Sequence, residues 1–192
     1  MGSQQELEER LALAGSEDSL HGFFLNGALD VVRELGDAVA LNHCIHAAGG
    51  DRFRAFFSYP IASFDRLLYA AAWALSEKHG GFGPAMRHLG REVVPDYLES
   101  AAGRVLLKLA GRGPKSLLHS IPVVYRTSVQ HGVCSLRWTG VSGVIVSFER
   151  TTIPTEYLEG ALCGVFEGLR MTNPKVVGRR LSLNHTELEV SW

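Results

Sequence analysis

The chain has 192 residues, which is the size of one ordinary domain. Apolar residues make up 46% and charged residues 20%, a globular composition that excludes wholesale disorder. Nineteen Lys and Arg against twenty Asp and Glu leave a net charge of −1. Because these charges are scattered, the basic face that a nucleic-acid partner requires is not expected. The composition predicts a single packed domain over residues 1–192.

The opening residues and the cysteines indicate the compartment. No apolar run reaches the about 18 residues that span a bilayer, so no membrane span is expected. The opening is acidic, with Glu6 and Glu8, where an export signal is basic and then apolar. The three cysteines, Cys44, Cys134 and Cys163, are odd in number and far apart, which is typical of a reducing compartment. We therefore expect a cytoplasmic protein.

A helical lobe is predicted over residues 1–121. After an acidic opening helix, apolar residues recur at helical intervals over Phe23–Leu35. Residues 51–59 are rich in aromatics and are predicted to be a connector packed on the core, because Pro60 prevents a continuous helix. Ser63 is the predicted N-cap of the next helix. Further helices are predicted over Val39–Ala48, from Phe64 to near His79, over Ala85–Leu98, which Pro95 either bends or splits in two, and over Ala102–Ala110 and Lys115–Ile121.

A β-β-α-β-β lobe is predicted over residues 122–192, where the apolar period changes to two. Together the two patterns predict an α+β fold in which a helical lobe packs on an antiparallel-sheet lobe. The interface between two apolar lobes is a common place for a ligand cavity. The predicted elements are a hairpin over Cys134–Glu149 that turns at Thr139–Gly143, a helix over Thr155–Leu169, and a second hairpin of Val176–Leu183 with Glu187–Trp192.

Motifs of catalysis and metal binding are sparse. The sequence contains no Walker loop, paired CxxC, HExxH or nucleophile elbow. Gly111-Arg112-Gly113 lacks a preceding strand and is interpreted as a helix break. His43, Cys44 and His46 could share a metal ion, but no second pair completes a tetrahedral set, so ordinary helix residues are favoured. We therefore expect no metal, no catalytic residues and no enzyme activity.

Six short patterns, spread over nearly the full length, resemble a family of uncharacterised paralogous proteins abundant in myxobacteria. The resemblance brings no known function with it. The patterns are Gly22-Phe23-Phe24-Leu25-Asn26-Gly27, Val32-Arg33-Glu34-Leu35-Gly36, Phe57-Ser58-Tyr59-Pro60, Gly103-Arg104-Val105-Leu106-Leu107, Tyr125-Arg126-Thr127 and Glu187-Leu188-Glu189-Val190-Ser191-Trp192.

The order of the lobes carries a more distant resemblance. In length and lobe order the chain is similar to the haem nitric-oxide/oxygen-binding (H-NOX) sensor domains, and more loosely to the vinyl-4-reductase-like and TRAPP small-subunit domains. The local match is best over residues 103–111, followed by Leu117-Leu118 and Tyr125. The resemblance implies helices followed by a β-β-α-β-β lobe, with a hydrophobic or haem ligand held between them.

The same resemblance implies which residues would face a haem. It places Tyr125 where the sensors have an iron-ligating histidine, and it places Val146, Phe148 and Arg150 where they have a Tyr-x-Ser-x-Arg clamp for the haem propionates. Only the arginine of the clamp is present, which argues against conventional haem sensing. A tyrosinate can ligate ferric haem, and Arg126 would help to lower its pKa, so haem binding through Tyr125 stays an alternative.

The leading expectation is a non-catalytic, haem-independent sensory domain that holds a small hydrophobic molecule between its lobes. The alternatives are a haem-binding gas sensor with Tyr125 in the axial position, and a protein-interaction adaptor. A signalling protein and a second copy of the chain are possible partners. The predicted ligand-binding residues are Phe57, Tyr59, Leu68, Tyr69, Tyr125, Arg126, Phe148 and Arg150.

Overall fold

A computed structural model describes residues 2–110, 113–169 and 174–192. In this part of the chain, helices come first and an antiparallel sheet that carries one helix comes last. The helices are α1 Gln4–Leu13, α2 Gly22–Leu35, α3 Ala38–Ala48, α4 Ile61–His79, α5 Phe82–Glu99, α6 Ala101–Ala110, α7 Pro114–Ser128 and α8 Thr155–Gly168. The strands are β1 Ser19–His21, β2 Ser58–Pro60, β3 Val129–Gln130, β4 Val133–Gly140, β5 Gly143–Glu149, β6 Lys175–Ser182 and β7 His185–Ser191.

Short-range signals fix several helix ends. The Asp37 carboxylate accepts from the Ala40 backbone N–H and caps α3, and Gly49 ends that helix in the left-handed conformation. The prediction for Ser63 is wrong: α4 begins at Ile61, three residues before the predicted start at Phe64, with Pro60 in the N-cap position. Proline is tolerated there because the first helical N–H groups have no partner within the helix.

Helices α5 and α8 lie backbone against backbone and join the two lobes. A Cβ atom at Gly90 would overlap the carbonyl oxygen of Tyr157, and one at Gly160 would overlap the carbonyl oxygen of Arg87. Gly164 lies under Val94 in the same way. Because glycine has no side chain, these two helices approach each other more closely than helices that meet through larger residues.

The larger sheet has the strand order β4-β5-β7-β6, and all of its neighbours are antiparallel. Its inner face is built from register-matched apolar pairs, such as Val144 with Val190 and Val146 with Leu188, all fully buried. This confirms the predicted α+β class, with a helical lobe on an antiparallel β-β-α-β-β lobe.

A second, small sheet has the order β2-β1-β3 and was not predicted. Leu20 of β1 pairs with Tyr59 on one side and with Val129 on the other. The segment interpreted as a connector thus ends in a strand. Strands of two or three residues leave too few positions to show an alternating pattern.

The helical part extends further along the chain than predicted. Helix α7 continues through Pro122 to Ser128, so the change of period assigned to Pro122 does not mark the end of the helices. The break expected at residues 111–113 falls largely on residues 111–112, which lie outside the described residues. None of the described helices is long and apolar enough to cross a membrane.

Candidate functional site

An apolar cavity of about 140 Å³ lies where the helical lobe meets α8 and β5. Both lobes contribute to its wall, so the cavity belongs to the interface rather than to either lobe. The wall consists of Phe23, Phe24, Val93, Val94, Tyr97, Ile121, Val124, Tyr125, Ser128, Val129, Phe148, Ile153, Tyr157, Leu158, Ala161, Leu162 and Val165.

Aromatic rings frame the cavity on the α2 and α5 side. The rings of Phe23 and Tyr97 lie 5.3 Å apart, and those of Phe24 and Phe64 lie 5.9 Å apart. Phe64, on the central helix α4, meets the ring of Tyr157 edge to face at 5.3 Å. Such offset contacts fix ring positions, so this side of the cavity is rigid.

Tyr157 supplies a polar group to this apolar wall. Its side chain is 2% exposed, and its hydroxyl has no hydrogen-bond partner. Burial raises the pKa of Tyr157, so the hydroxyl keeps its proton and remains a donor. An unpartnered buried hydroxyl costs about 1–3 kcal/mol.

Tyr125, on the last turn of α7, differs from Tyr157 in having partners for its hydroxyl. It donates a 2.9 Å hydrogen bond to the carbonyl of His131 and lies 3.3 Å from the hydroxyl oxygen of Thr151. Its ring packs edge to face on Phe148 at 5.2 Å. Burial raises the pKa of Tyr125, so a neutral phenol is favoured over a tyrosinate.

Two of the predicted site residues, Tyr125 and Phe148, line the cavity. Leu68 and Tyr69 are fully buried on α4 but do not line it. The Tyr69 hydroxyl instead accepts from Nε of Arg10 at 3.0 Å. We therefore leave Leu68 and Tyr69 out of the proposed ligand site, because their side chains are used in the core.

The other four predicted site residues also lie away from the cavity wall. Phe57 and Arg126 are exposed, and the Tyr59 hydroxyl accepts from the backbone N–H of Arg54. Arg150 is exposed at a separate polar cleft, with a positive φ of 54°. The sheet register explains this: Val146 and Phe148 alternate inward, and Arg150 follows the end of β5 at Glu149.

The sequence interpretation missed the position of Tyr157. The residue precedes Leu158, which the apolar stripe of α8 did include. Tyr157, Ala161 and Val165 follow one another at four-residue intervals and all line the cavity, beside Leu158 and Leu162. A tyrosine at the edge of an apolar helical stripe was the available signal.

The metal hypothesis at α3 receives no geometric support. Cys44 is buried, while His43 and His46 are exposed to solvent. Across residues 2–110, 113–169 and 174–192, no group of three His, Cys, Asp or Glu side chains could hold a metal ion.

The fold is that of the H-NOX domains. A mutant H-NOX protein from K. algicida with unliganded Fe(II) has a TM-score of 0.70 at 11% identity, covering 90% of this chain and 96% of that one. The H-NOX protein from S. oneidensis in the Fe(II)NO state has a TM-score of 0.63 at 11% identity, covering 90% and 98%. A third structure, which concerns how protein-induced porphyrin distortion modulates haem redox potential, has a TM-score of 0.65 at 12% identity. The match covers 90% of this chain and 100% of that one.

At the level of sequence, the chain belongs to the family described as "Protein of unknown function (DUF2378)", which matches residues 14–192. No curated protein matches the chain. The family assignment agrees with the resemblance to an uncharacterised family, and the H-NOX likeness establishes the fold alone.

Proposed function

We propose that the chain is a non-catalytic sensory domain that binds a small, largely apolar molecule in the cavity between its lobes, without haem. The observation that carries this proposal is the apolar cavity between the lobes, whose lining residues include Tyr157 with its buried, unpartnered hydroxyl. A ligand with one hydrogen-bond acceptor would complete the site. The hydroxyl would then orient the ligand, while the apolar wall would supply most of the affinity.

The size of the cavity limits the ligand. An apolar cavity of roughly 150 Å³ in another protein stays dry and binds benzene, and the cavity here is about 140 Å³. A single aromatic ring or a short branched chain fits this space. Drug-sized ligands occupy about 300–1,000 Å³ and would require the walls to move.

The described residues around the cavity do not fit haem. A porphyrin is several times larger than the single ring that such a cavity holds. Tyr125, at the position expected to face iron, donates a hydrogen bond to the carbonyl of His131, and burial disfavours the tyrosinate that ferric iron would require. Among the described residues, no arginine, lysine or histidine lines the cavity to neutralise propionates. These features support a haem-independent function.

A sensory role is supported by where the cavity lies. Its wall draws on α2, α5 and α7 from the first lobe and on β5 and α8 from the second. A ligand therefore contacts both lobes, and it stabilises those arrangements of the lobes that hold it best.

The test compares two probes of nearly the same shape, benzonitrile and ethynylbenzene, of which only the nitrile is a good acceptor. By calorimetry, the wild-type protein is expected to bind benzonitrile about fivefold more tightly, as one hydrogen bond provides. Tyr157→Phe should remove this preference and keep the affinity for ethynylbenzene. Tyr69→Phe, which alters a hydroxyl away from the cavity, is the matched control and should keep the preference.

Two results would contradict the proposal. One is that neither probe binds and that the spectra of the protein do not change when either probe is added. This result would favour the protein-interaction adaptor. The other is a stoichiometric, sharp Soret band when haem is added to the purified protein, which would restore the haem alternative. Tyr125→Phe would then show whether that tyrosine ligates the iron.

A further inference from the structure

Two consecutive phenylalanines stand outward from the loop at residues 51–57, which joins α3 to β2. Phe56 is 56% exposed and Phe57 is 57% exposed, whereas Phe53 of the same loop packs its ring on Tyr59 at 4.9 Å. The loop therefore has an inward aromatic anchor and an outward aromatic pair. Exposed large apolar residues that lie together mark surfaces that contact something else.

The loop is held in place rather than loosely attached. The side chain of Asn26 on α2 exchanges two hydrogen bonds with the backbone of Phe53, at 2.8 and 2.9 Å. The first N–H groups of α2, from Gly22 and Phe23, donate to the carbonyls of Phe57 and Ala55. A rigid loop loses little conformational entropy on binding, so its outward rings are pre-organised for contact.

The tip of the loop is a tight turn. The backbone N–H of Phe57 donates to the carbonyl of Arg54 at 3.1 Å, which closes the turn with Ala55 and Phe56 at its centre. Both Phe56 and Phe57 are more than half exposed at this turn, so their rings are accessible to a partner.

The charges beside the rings are mainly positive. Arg52 and Arg54 are exposed, and Asp51 is the acidic residue of this seven-residue segment. The Arg54 guanidinium lies 5.1 Å from the centre of the Phe57 ring, in cation–π geometry. The loop thus carries cations and aromatic rings on one tip, although the whole chain has a net charge of −1.

We propose that the 51–57 loop docks on an anionic lipid surface, where Phe56 and Phe57 enter the interface and Arg52 and Arg54 contact the phosphates. Aromatic rings favour the boundary between headgroups and acyl chains, and arginine near an anionic leaflet adds attraction. A lipid surface is favoured over a protein partner because the tip joins its cations to the rings that would be inserted, with Arg54 over the Phe57 ring.

The loop also lies beside the cavity. It is hydrogen-bonded to Phe23, whose side chain lines the cavity wall. An apolar ligand concentrates in membranes, so docking by this loop would bring the cavity close to the membrane that contains the ligand. This second step depends on the proposed function, whereas the docking itself does not.

The experiment measures co-sedimentation of the full chain with vesicles of phosphatidylcholine alone and with vesicles that also contain phosphatidylglycerol. The wild-type protein is expected to sediment with the anionic vesicles and to be released by high salt. Phe56→Ser with Phe57→Ser should abolish sedimentation. Arg52→Gln with Arg54→Gln should weaken it by about fivefold for each arginine removed.

The matched controls lie on the sheet lobe. Val141→Ser with Val177→Ser removes two exposed apolar side chains, and Arg137→Gln with Arg179→Gln removes two exposed arginines. Both control pairs should sediment like the wild type. Circular dichroism confirms that every variant is folded.

The proposal is overturned if the wild-type protein stays in solution with anionic vesicles, or if the serine pair sediments as well as the wild type. Concentration-dependent self-association that the same serine pair abolishes would also overturn it, because the tip would then be an interface between copies. Ligand binding without vesicles tests the cavity separately, so failure of docking and failure of the proposed function can be distinguished.

Discussion

Two buried polar sites lie on either side of helix α4 and differ in how completely they are paired. On one side, the Arg10 guanidinium is 1% exposed and donates to the carbonyls of Thr152 and Leu183 at 2.9 and 2.8 Å. It also bonds to the carboxylate of Glu6 and the hydroxyl of Tyr69. We call these five residues the Arg10 cluster.

On the other side, Tyr157 lines the cavity and has a buried hydroxyl without a partner. Burying a charge is costly unless it is paired, and the Arg10 cluster meets this condition by joining α1 to α4 and to the turn between β6 and β7. Complete pairing is typical of a structural role. An unpaired donor in an apolar cavity is typical of a group that waits for a ligand.

The largest effect is expected from Arg10→Met. The substitution leaves the carbonyls of Thr152 and Leu183 and the hydroxyl of Tyr69 without their donor, while Glu6 keeps its ion pair with Arg180 at 2.8 Å. We expect a loss of about 3–5 kcal/mol in the free energy of unfolding, measured by urea denaturation. Arg87→Gln, which breaks a partly exposed ion pair with Glu159, should cost less than about 1 kcal/mol. Equal losses in the two variants would show that the Arg10 cluster contributes no more to the free energy of unfolding than a partly exposed ion pair does.

A pH effect of a few kcal/mol is expected from Asp65 on α4. Burial raises its pKa to about 7 from an ordinary 3.8, against the lowering effects of Thr152, Arg10 and Arg66. Both of its oxygens are buried without a partner. The folded state therefore keeps the proton on Asp65 where the unfolded state has lost it, so the contribution of Asp65 to stability is fully present below about pH 4 and is lost as the pH rises to about 7.

Asp65→Asn tests this effect, because the amide does not titrate. Unfolding free energies at several pH values should show a smaller decline between pH 4 and 7 in the variant than in the wild type. Identical slopes in the two proteins would mean that the carboxyl ionises normally.

A smaller loss is expected where α5 and α8 touch. Gly160→Ala pushes a methyl group into the carbonyl of Arg87 and should cost about 1–3 kcal/mol or more, seen as a lower melting temperature. Gly83→Ala is the matched control within α5. Its new methyl would lie 3.7 Å from the Glu156 side chain, and helix propensity predicts a gain of up to about 1 kcal/mol.

The smallest effects come from the two tyrosines, and they should have opposite signs. Tyr157→Phe removes an unpartnered hydroxyl and should stabilise the ligand-free protein by about 1 kcal/mol. Tyr125→Phe removes a donor from the His131 carbonyl and should destabilise it by a similar amount. Chemical denaturation of both variants checks the signs. A loss of stability in Tyr157→Phe would show that this hydroxyl is already satisfied.

The sequence predicts the architecture well because the two lobes have different apolar periods. The hairpins and α8 appear where the alternating and helical patterns placed them. The second sheet could not be predicted, since its strands gain their identity from distant partners rather than from their own residues.

The candidate site is less predictable than the fold. Phe148 faces inward because strand alternation fixes its side, and that rule is local. The Tyr69 hydroxyl is paired because it accepts from Arg10, which lies 59 residues away in the chain. The Tyr157 hydroxyl has no such partner. Periodicity gives the buried face of a helix but not the partners of a polar group on it.

The glycine contact between α5 and α8 has a consequence for the ligands that the protein can select. Two helices whose backbones touch cannot move closer, and their mutual packing resists separation. Helix α7 is the opposite wall, and Pro122 deprives it of one backbone hydrogen bond to the carbonyl of Leu118. A ligand that is larger than the cavity should therefore be accommodated by bending of α7. The size of the largest ligand that binds is then limited by how far α7 bends at Pro122 rather than by the other walls of the cavity.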